Sequence, residues 1–450
     1  MYELCNLSGN IEQADEPPPS IAQDQADSEQ HSATSHKADS CFNDWKWQIA
    51  NRIRDISGLY GLFPNLKNSD FLPTVIKKYP MAITPYYASL IRKLDVSDPV
   101  FAMSVPQIRE LTDPACLSED PLEENEDMPV PGLVHRYPDR ALLIATTTCS
   151  MYCRHCTRKR VAGTRESTIS PLRLKQVYEY LLTHPEIHDV IISGGDPLTM
   201  STDALERVIE TLRSIPSVQI IRIGTRTPVV LPQRITDELV GMLKKYHPLW
   251  INTHFNHPNE LTNQAVAACA KLVDAGIPLG NQSVLLRGIN DNPQVFEQLC
   301  RGLVRMRVRP YYLFQCDIVK GVEHFRTPLS KGIEIMEYLR GRLSGIAIPT
   351  FVVDAPHGGG KIPILPNYIV STSPTHTVLR NFEGMMVNYP EPAIGNPVEA
   401  TIPESSAKSV WDLASGRASV IVPENTKRYQ RRRAIARKKN TSMVQEEFNF

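Results

Sequence analysis

The 450-residue chain has little of what would place it in a membrane, outside the cell or on a polyanion. No apolar run approaches the roughly 18 residues that a bilayer span needs, so no membrane partner is expected. The acidic, polar N-terminus lacks a basic stretch followed by an apolar one, so a secretory signal is not expected either. Cysteines number nine, at irregular spacings unlike a secreted disulfide framework, and a reducing cytoplasm is expected. Neither sign of charge is in excess: 49 basic side chains balance 49 acidic ones, which offers a nucleic acid nothing to hold. What remains is a chain with 42% apolar residues, long enough for two to three domains.

Residues 1–42 are rich in Gln, Asp, Ser, Glu and Pro and nearly free of large apolar side chains; they read as disordered. Residues 43–127 read as a helical region closing in an acidic, proline-containing linker over 113–127. In that region Trp45, Ile49, Ile53 and Ile56 recur at helical spacing. A regular alternation follows within 128–346. β-rich runs at 141–148, 189–193, 218–224, 250–255, 279–286 and 311–316 alternate with helical patterns at 172–182, 202–215, 234–246, 259–275, 293–306 and 331–343. Strand then helix, six times, at about thirty residues per unit, predicts parallel βαβ units with right-handed crossovers. The expected fold is α/β, a partial (β/α)6 TIM-like barrel with an N-terminal helical region and a C-terminal extension. A further strand is expected at 350–353, inside a segment 347–395 that closes the site. Residues 396–450 read as a partly disordered tail with a possible ordered piece at 419–422. The basic run 427–439 reads as solvated.

The first strand runs into Cys149, Cys153 and Cys156, spaced C-x₃-C-x₂-C. Three thiolates can hold three irons of a four-iron cluster and leave the fourth iron open. The alternatives are a zinc knot, which usually wants four ligands, and cysteines without metal. A nearby fourth cysteine is missing, although His155 has the right chemistry. The other strands also end in polar groups: Gly194-Gly195-Asp196 after the second, Gly224-Thr225-Arg226 after the third, His254 and His257 after the fourth. Asn281-Gln282-Ser283 lies within the fifth, and Asp317 follows the sixth. Paired glycines admit a ligand to the backbone or simply make a βα turn. Asp354 and Lys361 frame three glycines that do not fit the phosphate-loop pattern. Lys361 is either an amine for an aldehyde cofactor or part of a flexible turn.

The cysteine string through Arg160, Gly-Gly-Asp-Pro at 194–197, Tyr-Tyr-Leu-Phe-Gln-Cys-Asp at 311–317, His-Phe-Arg-Thr-Pro at 324–328 and Gly-Gly-Gly-Lys at 358–361 stand together in that order. The chain therefore resembles the lysine 2,3-aminomutase family of radical S-adenosylmethionine enzymes, from about residue 45 to about 390. The resemblance implies an isomerase that moves the amino group of L-lysine from the α- to the β-carbon. It implies a 4Fe-4S cluster on Cys149, Cys153 and Cys156, and S-adenosylmethionine held near Gly194, Gly195, Asp196, His254 and Gln282. It further implies pyridoxal phosphate carried by Lys361 and steadied by Arg136. Arg158 would take the substrate carboxylate, and Asp317 with Asp354 the cationic end of its side chain, as guanidinium and carboxylate chemistry suits. A small-molecule amino acid, an electron donor such as flavodoxin or ferredoxin, and further copies of the chain are the implied partners.

One departure stands out. Better-known relatives share a zinc site between subunits, but this chain has no cysteine after Cys316, and the loop position after Asp291 is Asn292. An oligomer without that zinc is expected. Arginine is the nearest alternative substrate, and support of β-lysylation of a translation factor a further one. A non-catalytic iron–sulfur or zinc module is the alternative from another class, and it would have no use for Lys361.

Overall fold

The computed structural model describes residues 41–64, 66, 70–161, 163, 165–373, 376–392 and 430–437. The expected disorder of 1–42 falls almost wholly, and the expected ordered piece at 419–422 wholly, outside them. The described residues from 42 onward fall in one compact unit.

Its centre is a nine-stranded sheet in which spatial order follows chain order. The strands are β1 (Leu133–Val134), β2 (Arg140–Thr146), β3 (Asp189–Gly194), β4 (Ile220–Gly224), β5 (Leu249–Thr253), β6 (Leu279–Leu285), β7 (Arg309–Gln315), β8 (Thr350–Ala355) and β9 (Gly360–Pro363). β2 to β8 are parallel, while β1 and β9 lie antiparallel at the two edges. The two ends do not pair, so the curled sheet is an open half-barrel. A small exposed meander, β10 (Ile369–Thr372), β11 (His376–Arg380) and β12 (Met386–Pro390), lies beyond it.

Strand side chains alternate between two faces. In β3, Val190 and Ile192 are fully buried, whereas Ile191 and Ser193 line an interior cavity. β6 divides the same way: Gln282 and Val284 face the cavity, and Asn281 and Ser283 are buried on the other side. There the Asn281 amide accepts from Phe255 N at 2.7 Å and donates to Phe255 O at 3.1 Å, which fixes the loop that carries His254.

The crossover helices begin where a short polar side chain can take an orphan backbone N–H. Ser170, Ser201, Thr236, Thr262 and Asn292 cap Pro171–Leu182, Thr202–Arg213, Asp237–Lys244, Asn263–Asp274 and Pro293–Arg305. The expected helix starts at 234 and 259 move inward because residues 232–234 and 258–260 form separate 3-10 turns. Asn292 is thus a cap, accepting from Gln294 N at 2.9 Å.

Two expectations are corrected. The stretch 113–127 is not a free linker: Glu124 and Asp127 are 5% and 1% exposed and ion-paired with arginines. Nor is the basic tail wholly solvated. Arg432 pairs with Glu123 at 2.5 Å and with Asp127 at 2.9 Å, because those two acids offer the charge it lacks. Arg431 donates to Arg136 O at 3.3 Å.

Candidate active site

The segment after β2 is pinned before it reaches its first cysteine. Gly195 N donates to Thr146 O at 2.6 Å and Asp196 N to Thr148 O at 2.8 Å. A Cβ on Gly194 or Gly195 would stand 2.3 Å from those carbonyls, and Gly194 has φ +120°. The glycine pair therefore admits the chain's own cysteine segment, a nearer tenant than any ligand. From the other side the N-terminal region holds the segment: Tyr152 N donates to Ala82 O at 2.9 Å, and Arg154 N to Met103 O at 3.0 Å. Arg154 and Lys159, both nearly sealed from solvent, meet on the fully buried Glu110 at 2.5 and 2.6 Å.

One cavity of about 610 Å³ is lined by all thirteen residues to which the family resemblance gives roles. The three thiols do not converge on a point; among the described residues no three Cys, His, Asp or Glu side chains are placed as ligands of a single ion. Thiols spread around a cavity wall suit a polynuclear cluster, in which each iron takes one thiolate. Burial holds the Cys149 thiol well above its ordinary value and pushes Cys156 up to about 11, so these thiolates call for an adjoining positive centre. His155 lines the same cavity with its Nδ1 buried and unpartnered. The donor set fits an iron–sulfur cluster.

Around the thiols, Asp196 is 5% exposed and caps a turn, accepting from Thr225 Oγ1 at 2.6 Å and Arg226 N at 2.8 Å. Burial raises its pKa despite those bonds. His254 Nδ1 lies 3.1 Å from Gln282 O, and burial pushes its pKa down to about 4, so the ring is neutral at pH 7. His257, by contrast, is a helix cap that accepts from Asn259 N at 3.1 Å.

β8 and β9 form a hairpin whose reversal uses positive φ at His357, Gly358 and Gly360. The glycines thus make the turn that presents Lys361. Register puts Lys361 opposite Asp354, with Nζ 2.9 Å from Oδ2. The ammonium also stands 5.2 Å from the Phe314 ring centroid, and Lys361 N donates to Tyr137 OH at 2.9 Å. Asp354 Oδ1 is buried without a partner. Arg136 lines the cavity with its Nε 3.2 Å from Asp127 Oδ2 and Nη2 2.7 Å from Leu122 O. An amine, an aromatic floor and a steadied guanidinium in one cavity fit an aldehyde cofactor with an anionic group. Asp317 accepts from Thr157 Oγ1 at 2.5 Å, and burial pushes its pKa up to about 6.

Two residues were not assigned from the sequence. Glu124 grips Arg158 through Nη2 at 2.6 Å and Nε at 2.9 Å. Arg226 Nη1 stands 2.8 Å from Cys153 Sγ. The strand-end position of Arg226 was a signal for it; Glu124 gave none, because only the fold brings residue 124 to residue 158.

Comparison with known proteins agrees with this geometry. Residues 336–449 match the family described as Lysine-2,3-aminomutase, and residues 143–299 the Radical SAM superfamily. L-lysine 2,3-aminomutase of Clostridium subterminale is 55% identical over 79% of this chain and 86% of its own length. The enzyme of the same name from Acetoanaerobium sticklandii is 50% identical over 88% and 97%. Glutamate 2,3-aminomutase of Clostridioides difficile is 46% identical over 78% and 84%. With one such relative 55% identical over 79% of this chain, and with the Radical SAM superfamily matched over residues 143–299, the chain belongs to the lysine 2,3-aminomutase family of the radical SAM superfamily.

Proposed function

We propose that the chain interconverts L-lysine and β-lysine by 1,2-migration of the amino group. The observation that carries this reading is the single cavity that brings together the three thiols, Lys361, Arg158 and the acids Asp317 and Asp354. When bound, the cluster with S-adenosylmethionine supplies a hydrogen-abstracting radical, and pyridoxal phosphate supplies a covalent hold on the migrating nitrogen. Cys149, Cys153 and Cys156 hold the cluster; Gly194, Gly195, Asp196, His254 and Gln282 wall the pocket for S-adenosylmethionine. Lys361 holds the aldehyde cofactor and Arg136 its phosphate.

The remaining residues choose and orient the substrate. Arg158 receives the α-carboxylate. Asp317 and Asp354 receive the distal cation, which a glutamate side chain would not have. Asp354 Oδ2 faces Lys361 Nζ, and its Oδ1, buried without a partner, is the oxygen left for the substrate cation. Residues 128–346 form the core that makes the radical, and 347–395 bring Lys361 to it. Among the described residues no helix is long and apolar enough to cross a membrane. We place the enzyme in the reducing cytoplasm, served by a flavodoxin or ferredoxin, as a homo-oligomer without an intersubunit zinc.

Anaerobic reconstitution followed by assay with lysine, arginine and glutamate tests the proposal. Lysine should give the β-amino acid only with all three cofactors present. Turnover of arginine or glutamate in preference to lysine would overturn the substrate, and activity surviving Cys153→Ala would overturn the chemistry. Metal analysis should find iron without stoichiometric zinc.

A further inference from the structure

We infer that Arg226 is a positioning residue of the cluster, holding the Cys153 sulfur by an N–H···S bond and thereby setting how easily the cluster is reduced. The inference rests on the reading of Cys153 as a cluster thiolate.

Arg226 follows β4 and is 7% exposed. Its guanidinium is fixed from two sides. Nη1 points at Cys153 Sγ, 2.8 Å away. Nη2 donates to Glu260 Oε1 at 2.7 Å and to Tyr87 OH at 3.2 Å. Glu260 is itself immobilised: it is 0% exposed and accepts from Asn256 N at 2.6 Å, His257 N at 3.0 Å and Tyr87 OH at 2.7 Å. The Arg226 backbone is tied as well, its N–H donating to Asp196 Oδ2 at 2.8 Å.

This arrangement exceeds what packing needs. A buried guanidinium requires an anion, and Glu260 already supplies one. The second edge of the fork is spent on a sulfur. The other arginine of the cavity wall near the cysteines, Arg158, is occupied by Glu124 instead. Hydrogen bonds to cluster sulfurs and nearby charge are principal settings of reduction potential. A cation that donates to the thiolate stabilises the more negative, reduced state. Its removal should leave the cluster harder to reduce. The Tyr87–Glu260–Arg226 relay keeps the donor aimed at sulfur, so a change at Glu260 that keeps its charge but loosens its grip should act in the same direction through Arg226.

The test is an anaerobic redox titration of the reconstituted holoenzyme, without and with S-adenosylmethionine, followed by electron paramagnetic resonance. Arg226→Gln should keep its iron, shift the reduction equilibrium about tenfold toward the oxidised form, about 59 mV for one electron, and alter the spectrum of the reduced cluster. Arg226→Lys should recover part of the shift, and Glu260→Asp, which keeps the charge and loosens the aim, should show a smaller one. An unmoved potential and spectrum in Arg226→Gln with iron intact would overturn the inference. Should Arg226→Gln not fold, Glu260→Asp and Arg226→Lys decide, and an unmoved potential in both overturns it. A merely structural arginine would lower the melting temperature without touching potential or spectrum. Cys153→Ala separates the two levels: a four-iron cluster surviving there defeats the underlying reading, whereas its loss beside an unmoved Arg226→Gln potential defeats only this inference.

Discussion

Lys361 and Asp354 are cross-strand partners in the β8–β9 hairpin, their charged ends 2.9 Å apart inside the cavity. Lys361→Ala should abolish borohydride-trappable pyridoxal phosphate and leave the iron content unchanged. Asp354→Asn should keep the trapped cofactor but weaken lysine binding about tenfold, roughly 1.4 kcal/mol. Absorbance after borohydride reduction and equilibrium binding read the two effects separately.

Glu124 takes two of the guanidinium nitrogens of Arg158 and so fixes which edge remains for a carboxylate. Glu124→Gln keeps the shape and removes the charge. The KM for lysine should rise about tenfold, with iron and pyridoxal phosphate content unchanged, since the loss of a charge-assisted bond is worth about 1.5–3 kcal/mol. A fall in kcat at unchanged KM would contradict the positioning role.

Asp317 is pushed up to about 6 by burial; Asp354 and Glu124 add to the rise, while Thr157 and Lys361 oppose it. A carboxyl raised above its unfolded value of about 3.9 favours the fold most when protonated. That contribution is complete below about pH 4 and is lost as pH climbs through about 6. Binding of a cation runs the opposite way, because only the ionised acid attracts it. Lysine affinity should therefore strengthen between pH 5 and pH 7, and Asp317→Asn should flatten that rise. Calorimetric titration across this window is the check.

Glu110 is the shared counter-ion of Arg154 and Lys159, and all three are buried. Glu110→Ala leaves two unpaired cations beneath the cysteine segment. The variant should lose about 3–5 kcal/mol of stability, measured by urea denaturation of the apo-protein, and should take up less iron. A loss below about 1 kcal/mol would show that the two cations find water or another partner.

The period of the chemistry was legible in the sequence: strand ends carry the thiols, Asp196, His254 and Asp317, and each of them lines the cavity. Periodicity alone placed two helices too early; the caps that start them, Thr236 and Thr262, stand in the sequence but were not used. What stayed hidden were pairings between distant segments. Nothing in an acidic stretch says that Glu124 will meet Arg158, or that Asp127 will take Arg136 on one oxygen and Arg432 on the other. The glycines before Lys361 left a cofactor amine and a turn both open; the backbone uses them to turn, as positive φ at Gly358 and Gly360 records.

The Arg432–Asp127 pair joins residues 305 positions apart in the chain. The acid that steadies Arg136 thus waits, during synthesis, for a residue made long after the half-barrel has emerged. Such distant contacts form late in folding. The backbone ties of the cysteine segment lie within residues 80–200 and its side-chain hydrogen bonds reach no further along the chain than Gly321, whereas the Arg136 corner is finished only when Arg432 is in place. The side of the cavity that carries the cysteines is therefore complete in the growing chain before the side that carries Arg136.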